Sequence, residues 1–262
     1  MVHNLKLAKV FWTITTAFTF IAALGGVLFR GIYINLFPTD FLPGAFPQDV
    51  LTIFVCVFLF VLIAVAGEKD VKSQVIILGL LGSFFYLYGI FTMERVYNWF
   101  YLLYMAIFTS SFWSIVYSLA GFNSGIFARI RLSNGIRIIT AVSSIVIAVL
   151  FSFLWIMALL PLMRNHDRID FMYSIFILDL CFVMPAFFIT AVMSLRKMPL
   201  GILMGPGIMI LGFFVIFPLG LNELAKPSAG LAMNTGSMVI SFVFAFYMIA
   251  LAVMQLRSIH FD

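Results

Sequence analysis

Asp179 is the residue in this chain most in need of a chemical reason. It lies inside an apolar run from Phe171 to Leu195, and an acid in mid-span costs on the order of 3 kcal/mol even on the most lenient insertion scale. An acid kept at that cost either binds a proton, a cation or a basic group, or ties two helices together by a hydrogen bond. Counting about 1.5 Å per residue from Phe171 puts its carboxyl roughly 12 Å below the boundary of the run. Partners are expected from ends of other runs on the same side: Arg30, Asp49, Glu94, Arg95 and Asn98. Tyr97, Tyr101 and Tyr104 recur at i, i+4 and i+7, a spacing that lines their hydroxyls along one helix face toward the depth of Asp179. Tyr86 and Tyr88, two residues apart, point to different faces.

The candidate ligand-binding set is therefore Asp179, Asp49, Asn98, Tyr101, Tyr104, Arg30 and Glu94, expected to line a polar pocket that opens outward. Other chemistries lack their residues. His3, His166 and His260 all fall outside the apolar runs, so paired histidine ligation of an intramembrane haem has no donors. Cys56 and Cys181 sit singly within apolar runs, without metal-ligand spacing. Metalloprotease, nucleotide-binding and lipase motifs are absent from the sequence. Residues 164–168, Arg-Asn-His-Asp-Arg, read as a solvated turn. No catalytic residue, metal or cofactor is assigned.

The elements that must position Asp179 follow from composition. Hydrophobic residues make up 64% of the chain and charged ones 10%, whereas a soluble domain is about half apolar and a quarter charged. A bilayer core needs about 20 apolar residues in a helix. Eight runs qualify, approximately Val10–Phe29, Val50–Gly67, Val75–Met93, Asn98–Gly121, Ile138–Met163, Phe171–Leu195, Ile202–Leu221 and Ser237–Leu256. The expected fold is all-α: a polytopic transmembrane helix bundle of about eight spans, forming one domain over residues 1–262. The first run follows Lys6 and Lys9, but it is too long for a signal-peptide core and lacks a small-residue cleavage site, so it reads as a retained helix.

Counting Lys and Arg on alternate sides gives ten on the side of the N-terminus and five on the other. By the positive-inside rule both termini are expected in the cytoplasm, with the chain in a cell membrane. The formal charge of +5 comes from residues scattered between apolar runs; it orients the chain and offers no surface for nucleic acid. The expected partners are the lipid bilayer, a small-molecule or cationic ligand, and a second membrane protein.

Three segments carry further expectations. Pro38, Pro43 and Pro47 predict that residues 31–48 are not regular helix and lie in the interface. Residues 122–137 mix Arg129, Arg131 and Arg137 with apolar neighbours, as in a short amphipathic helix on the cytoplasmic face. The seventh run contains Gly201, Gly205, Pro206, Gly207, Gly212 and Pro218. These suit either close helix packing or a broken, site-forming helix, and packing is favoured because the sequence shows no internal repeat.

Several short motifs carry a resemblance. They are Gly31-Ile32-Tyr33, Gln48-Asp49, Tyr97-Asn98-Trp99-Phe100-Tyr101-Leu102-Leu103-Tyr104, Leu178-Asp179-Leu180 with Pro185, and Arg196-Lys197-Met198-Pro199-Leu200-Gly201. Across spans one to seven the chain resembles a family of bacterial multipass integral membrane proteins with no assigned activity. The resemblance implies that Asp49, Asn98 and Asp179 belong to that family's recurring polar positions. Where the family carries Arg or Asp just after the first motif's Tyr, this chain has Ile34 and Asn35, and Arg30 is the available substitute.

Two functions fit the sequence: binding or transporting a small ligand, proton or lipid component at the Asp179 site, or a non-catalytic structural or assembly role in a membrane complex. The sidedness can be measured first. A cysteine at His260, in a chain freed of its native thiols, is expected to react with an impermeant maleimide only after cells are permeabilised. Labelling in intact cells would reverse the orientation.

Overall fold

The computed structural model describes residues 4–121, 130–169 and 171–261. Helix α1 spans Leu5–Leu28 and leads through a 3-10 turn, Arg30–Tyr33, to α2 at Leu42–Val65. Then come α3 at Val71–Met93, α4 at Tyr101–Ala120, a two-residue strand β1 at Ile130–Arg131, and α5 at Asn134–Asn165. Helix α6, Tyr173–Leu178, runs through a π turn, Asp179–Val183, into α7 at Met184–Leu195; α8 at Pro199–Ala225, α9 at Thr235–Ser258 and β2 at His260–Phe261 follow. With α6 and α7 as one span, eight helices among the described residues are long and apolar enough to cross a bilayer. The chain is an all-α multipass membrane protein, and its apolar helices embed it in lipid. With eight spans, the start of α1 and the end of α9 lie on one side, here the terminal side; the opposite side is the distal one.

Helix α2 begins at Leu42, which corrects the expectation that residues 31–48 are not helical. Pro43 occupies the first turn, where backbone N–H groups lack intrahelical partners anyway. Pro47, one turn further on, removes a bond at the helix's very start. Upstream the loop is irregular as expected, and the Phe37 and Phe41 rings meet Phe171 at 5.8 and 5.9 Å. Of the segment 122–137, residues 122–129 lie outside the described residues, as do Asp170 and Asp262. The remainder departs from an amphipathic helix: Ile130 and Arg131 pair antiparallel with Phe261 and His260, and α5 starts at Asn134.

Helix α3 is buried along most of its length, while α5 and α9 are the least covered spans. It packs on α1, α2, α4, α6 and α8, which suits a sequence apolar all round. Phe153, Leu154 and Met157 leave one face of α5 exposed, as lipid requires. Polar contacts join α1 to α4: the Trp12 indole donates to Ser118 Oγ at 3.0 Å, and Thr15 lies 3.2 Å from Ser114.

Helix α8 is continuous through Pro206 and Pro218, and its glycines mark where neighbours come closest. A Cβ on Gly205 would meet the Gln255 amide of α9, and one on Gly212 would meet Met248 and Phe187. A Cβ on Gly207 would meet the Val75 carbonyl and side chain and the Gly79 amide of α3, so the two backbones run close there. The glycines serve packing, the favoured of the two expectations.

A Cβ on Gly79 would sit 2.6 Å from the Gly207 carbonyl oxygen. Gly79→Ala is therefore expected to lower the unfolding temperature in detergent, at a cost of about 1–3 kcal/mol. Gly67→Ala, where nothing lies within 4 Å, serves as the matched control. Equal behaviour of the two variants would contradict the contact.

Candidate functional site

Two tyrosines on α3 point to two carboxyls on different sides of that helix. Tyr86 lies beside Asp179 of the α6–α7 span, and Tyr88 lies near Asp49 of α2. The face argument for these tyrosines holds, since residues two apart on a helix are separated by roughly 200° at 3.6 residues per turn. The expected single pocket thus resolves into separate polar centres.

Asp49 is 2% exposed. Its Oδ2 accepts a hydrogen bond of 3.0 Å from the Tyr33 hydroxyl, supplied by the 3-10 turn after α1. Tyr33 in turn lies against the Tyr104 hydroxyl, which accepts from Asn98 Nδ2 at 3.0 Å. The Asn98 Oδ1 accepts from the Phe100 amide at 2.9 Å, closing a turn just ahead of α4. A polar chain therefore runs from Asp49 through Tyr33 and Tyr104 to the partly exposed Asn98. Burial and the neighbouring Asp49 push the Tyr33 hydroxyl well above its ordinary pKa, which keeps it a donor. Room for this carboxyl depends on α1 passing with Gly26, whose Cβ would fall 1.9 Å from Asp49 Oδ2.

Asp179 is 4% exposed and opens the π turn, a local widening that often marks functional sites. Its Oδ2 accepts from the Trp155 indole of α5 at 2.6 Å. Its Oδ1 has no hydrogen-bond partner among the described residues. The carboxyl lines a void of about 20 Å³ closed by Phe151, Phe187, Gly212 and Met248 among others. The other side chains of that wall are apolar.

The remaining candidates serve elsewhere. Glu94 Oε1 accepts from the Ser174 amide at 2.9 Å and from the Ser174 hydroxyl, tying the distal end of α3 to the start of α6. Tyr173 donates to the Met93 carbonyl in the same clasp. Tyr101 donates to the Thr92 carbonyl at 2.9 Å, and Tyr97 is exposed, so the expected tyrosine stripe contributes Tyr104 alone to the buried network. Arg30 is exposed and stacks over the Phe46 ring at 4.1 Å. Among the described residues no Lys, Arg or His lies within ion-pair distance of Asp49, Glu94 or Asp179; the ion pair seen is Lys226–Glu223 at 2.6 Å.

Of the seven candidates, Asp49, Asn98 and Tyr104 come together, while Asp179, Glu94, Tyr101 and Arg30 stand apart. Two larger hollows among the described residues are mainly apolar and contain neither Asp49 nor Asp179. One, about 250 Å³, lies between α4 and α7 over Gly79, Gly82 and Gly207; another, about 480 Å³, lies at the distal ends of α5 and α6. Sequence reasoning missed Trp155 and the role of Tyr33. Trp155 left a signal, for it is one of four tryptophans and lies deep in an apolar run where an indole N–H needs a partner. No group of His, Cys, Asp and Glu among the described residues is arranged to hold a metal ion. Comparison with protein-family models, curated proteins and solved structures returns no match.

Gly26→Ala is expected to displace Asp49 from Tyr33 and destabilise the protein by about 1–3 kcal/mol. A second change, Asp49→Ala, makes room for the methyl. Partial recovery of the unfolding temperature in the double variant is the expected result, and purely additive losses would count against the proposed contact.

Proposed function

We propose that this is a proton-binding membrane protein whose working group is Asp179. The terminal side is cytoplasmic in this reading, the membrane is a bacterial-type cell membrane, and the resemblance to multipass membrane proteins of that type belongs to the same proposal. The observation that carries it is the state of the carboxyl among the described residues: buried, held at one oxygen by Trp155, with the neutral Tyr86 hydroxyl as its other polar neighbour, and without a cation beside it.

A carboxylate so placed has lost its water and gained no countercharge, which costs far more than a neutral acid in the same place. Size and donor number then select the ligand. A void of about 20 Å³ excludes an organic molecule in this conformation. Hard metal ions such as calcium take six to eight oxygen ligands, whereas Asp179 with the Tyr86 hydroxyl offers a much smaller set. A proton fits both limits. Binding and release of that proton is the elementary step of a proton-linked transporter, and the Trp155 indole fixes the carboxyl while it happens.

Infrared spectroscopy reads the proton directly, because a protonated carboxyl absorbs apart from a carboxylate. Across a pH series on the purified protein, wild type is expected to show a titrating protonated-carboxyl band that Asp179→Asn lacks. Trp155→Phe should shift that band without removing it. An unchanged spectrum in a folded Asp179→Asn protein would sink the proposal and leave Asp179 as a helix tie between α5 and α6.

A further inference from the structure

The helices of this chain pack in the same circuit twice. In the first four spans α1 packs on α2, α2 on α3, α3 on α4, and α4 closes back on α1. In the last four, α5 packs on α7, α7 on α8, α8 on α9, and α9 closes back on α5. The diagonal from first to third helix is occupied in both sets, as α1 on α3 and α5 on α8.

Contacts between the sets decide how the two are related. The two third helices, α3 and α8, pack on each other; second helix α2 packs on α8, and α6, the start of the other second helix, packs on α3. Crossed contacts of this kind, where i meets j and j meets i, are the pattern a twofold axis produces. A mirror-like arrangement would set the second helices against each other instead. The axis passes close to Gly79 and Gly207, which touch; counted from Val71 and Pro199, each is the ninth residue of its helix. Four spans return the chain to the side where it began, so the halves share one orientation and the axis runs along the membrane normal.

The two buried acids obey the same relation. Asp49 is the eighth residue of α2, counted from Leu42, and Asp179 the seventh of its span, counted from Tyr173. Both helices enter from the distal side. Both acids face the first helix of their own set, Asp49 through Gly26 and Asp179 through Trp155. The α3 tyrosines beside them fall outside that relation, since α3 is the third helix of the Asp49 set and crosses from the other set to reach Asp179. We infer that the chain is a tandem of two four-span units related by that twofold, and that Asp49 is the second copy of the Asp179 site, so that the protein holds two protons rather than one.

The inference rests on the proton reading of Asp179 and extends it to a second carboxyl. The groups facing each acid are defined. Asp49 meets Tyr33 from the loop, Tyr88 from α3 and Tyr104 from α4, with Cys56 beside Tyr88. Asp179 meets Tyr86 from α3 and the non-titrating Trp155 from α5, while α8 and α9 bring apolar residues and Gly212. The polar chain from Asp49 to Asn98 gives the second site a route of hydroxyls toward the distal surface.

The test uses the infrared titration on the full chain with Asp49→Asn, Asp179→Asn and the double variant, each checked for folding by thermal unfolding. In wild-type-minus-variant difference spectra, where the surface acids cancel, each single variant is expected to lose one protonated-carboxyl band and the double variant both, with Glu94→Gln run alongside to assign any band of the third buried acid. Tyr33→Phe should move the Asp49 band alone, and Tyr86→Phe the Asp179 band alone. These milder changes keep the assignment readable if a carboxyl variant fails to fold. Loss of every titrating band in Asp179→Asn would overturn the second site and leave the first standing. Persistence of both bands in the double variant would overturn both readings.

Discussion

Lipid supplies no hydrogen bonds, so a polar group beneath the membrane surface must be answered by another part of the protein. In this chain α3 carries much of that burden. It is the most buried of the described spans, and its distal half brings Tyr86 to Asp179, Tyr88 to the surroundings of Asp49, and Glu94 to Ser174. The surrounding helices can expose Phe, Leu and Val to lipid because their polar side chains turn inward toward such partners. Stability and the candidate chemistry therefore depend on the same helix.

The terminal half follows the same constraint with different groups. Arg137, at the start of α5, is buried and donates to the Ser194 and Leu195 carbonyls at 3.0 and 2.9 Å. Those are the open carbonyls at the end of α7, where a helix's partial negative charge gathers. The cation is thus met by backbone and by Asn134, without a carboxylate. Nearby, Gln255 of α9 donates to Thr140 of α5 at 2.6 Å, and Gly205 leaves the space that the Gln255 amide fills. Sequence counting reads Arg137 as one more positive charge on that side; its burial shows that it also holds α5 against α7.

Much of the fold was legible because apolar length is a strong signal. The eight spans follow from runs of about 20 apolar residues, and Asp179, Asp49 and Asn98 stood out as polar groups within or beside them. What was not legible has physical causes. The start of α2 was obscured by prolines that a first helical turn tolerates. The grouping of the candidates was obscured because a helix apolar on all faces gives no periodic sign of which face meets protein. Depth alone placed Arg30, Glu94 and Asp179 together, whereas rotation about each helix axis sent them to Phe46, Ser174 and Trp155. The repeated circuit left no repeat in the residues, since packing order is conserved by shape and Gly79 and Gly207 are too small a likeness to find by reading.

The meeting of Gly79 with Gly207 has a mechanical side. Where two helices run this close, a displacement of one is passed to the other, and Val75 and Ile210 beside the glycines key the crossing. On the flanks α2 packs against α8 and α6 against α3. Those are the segments that carry Asp49 and lead into Asp179, so the crossing and the two buried acids are held in place by the same packing.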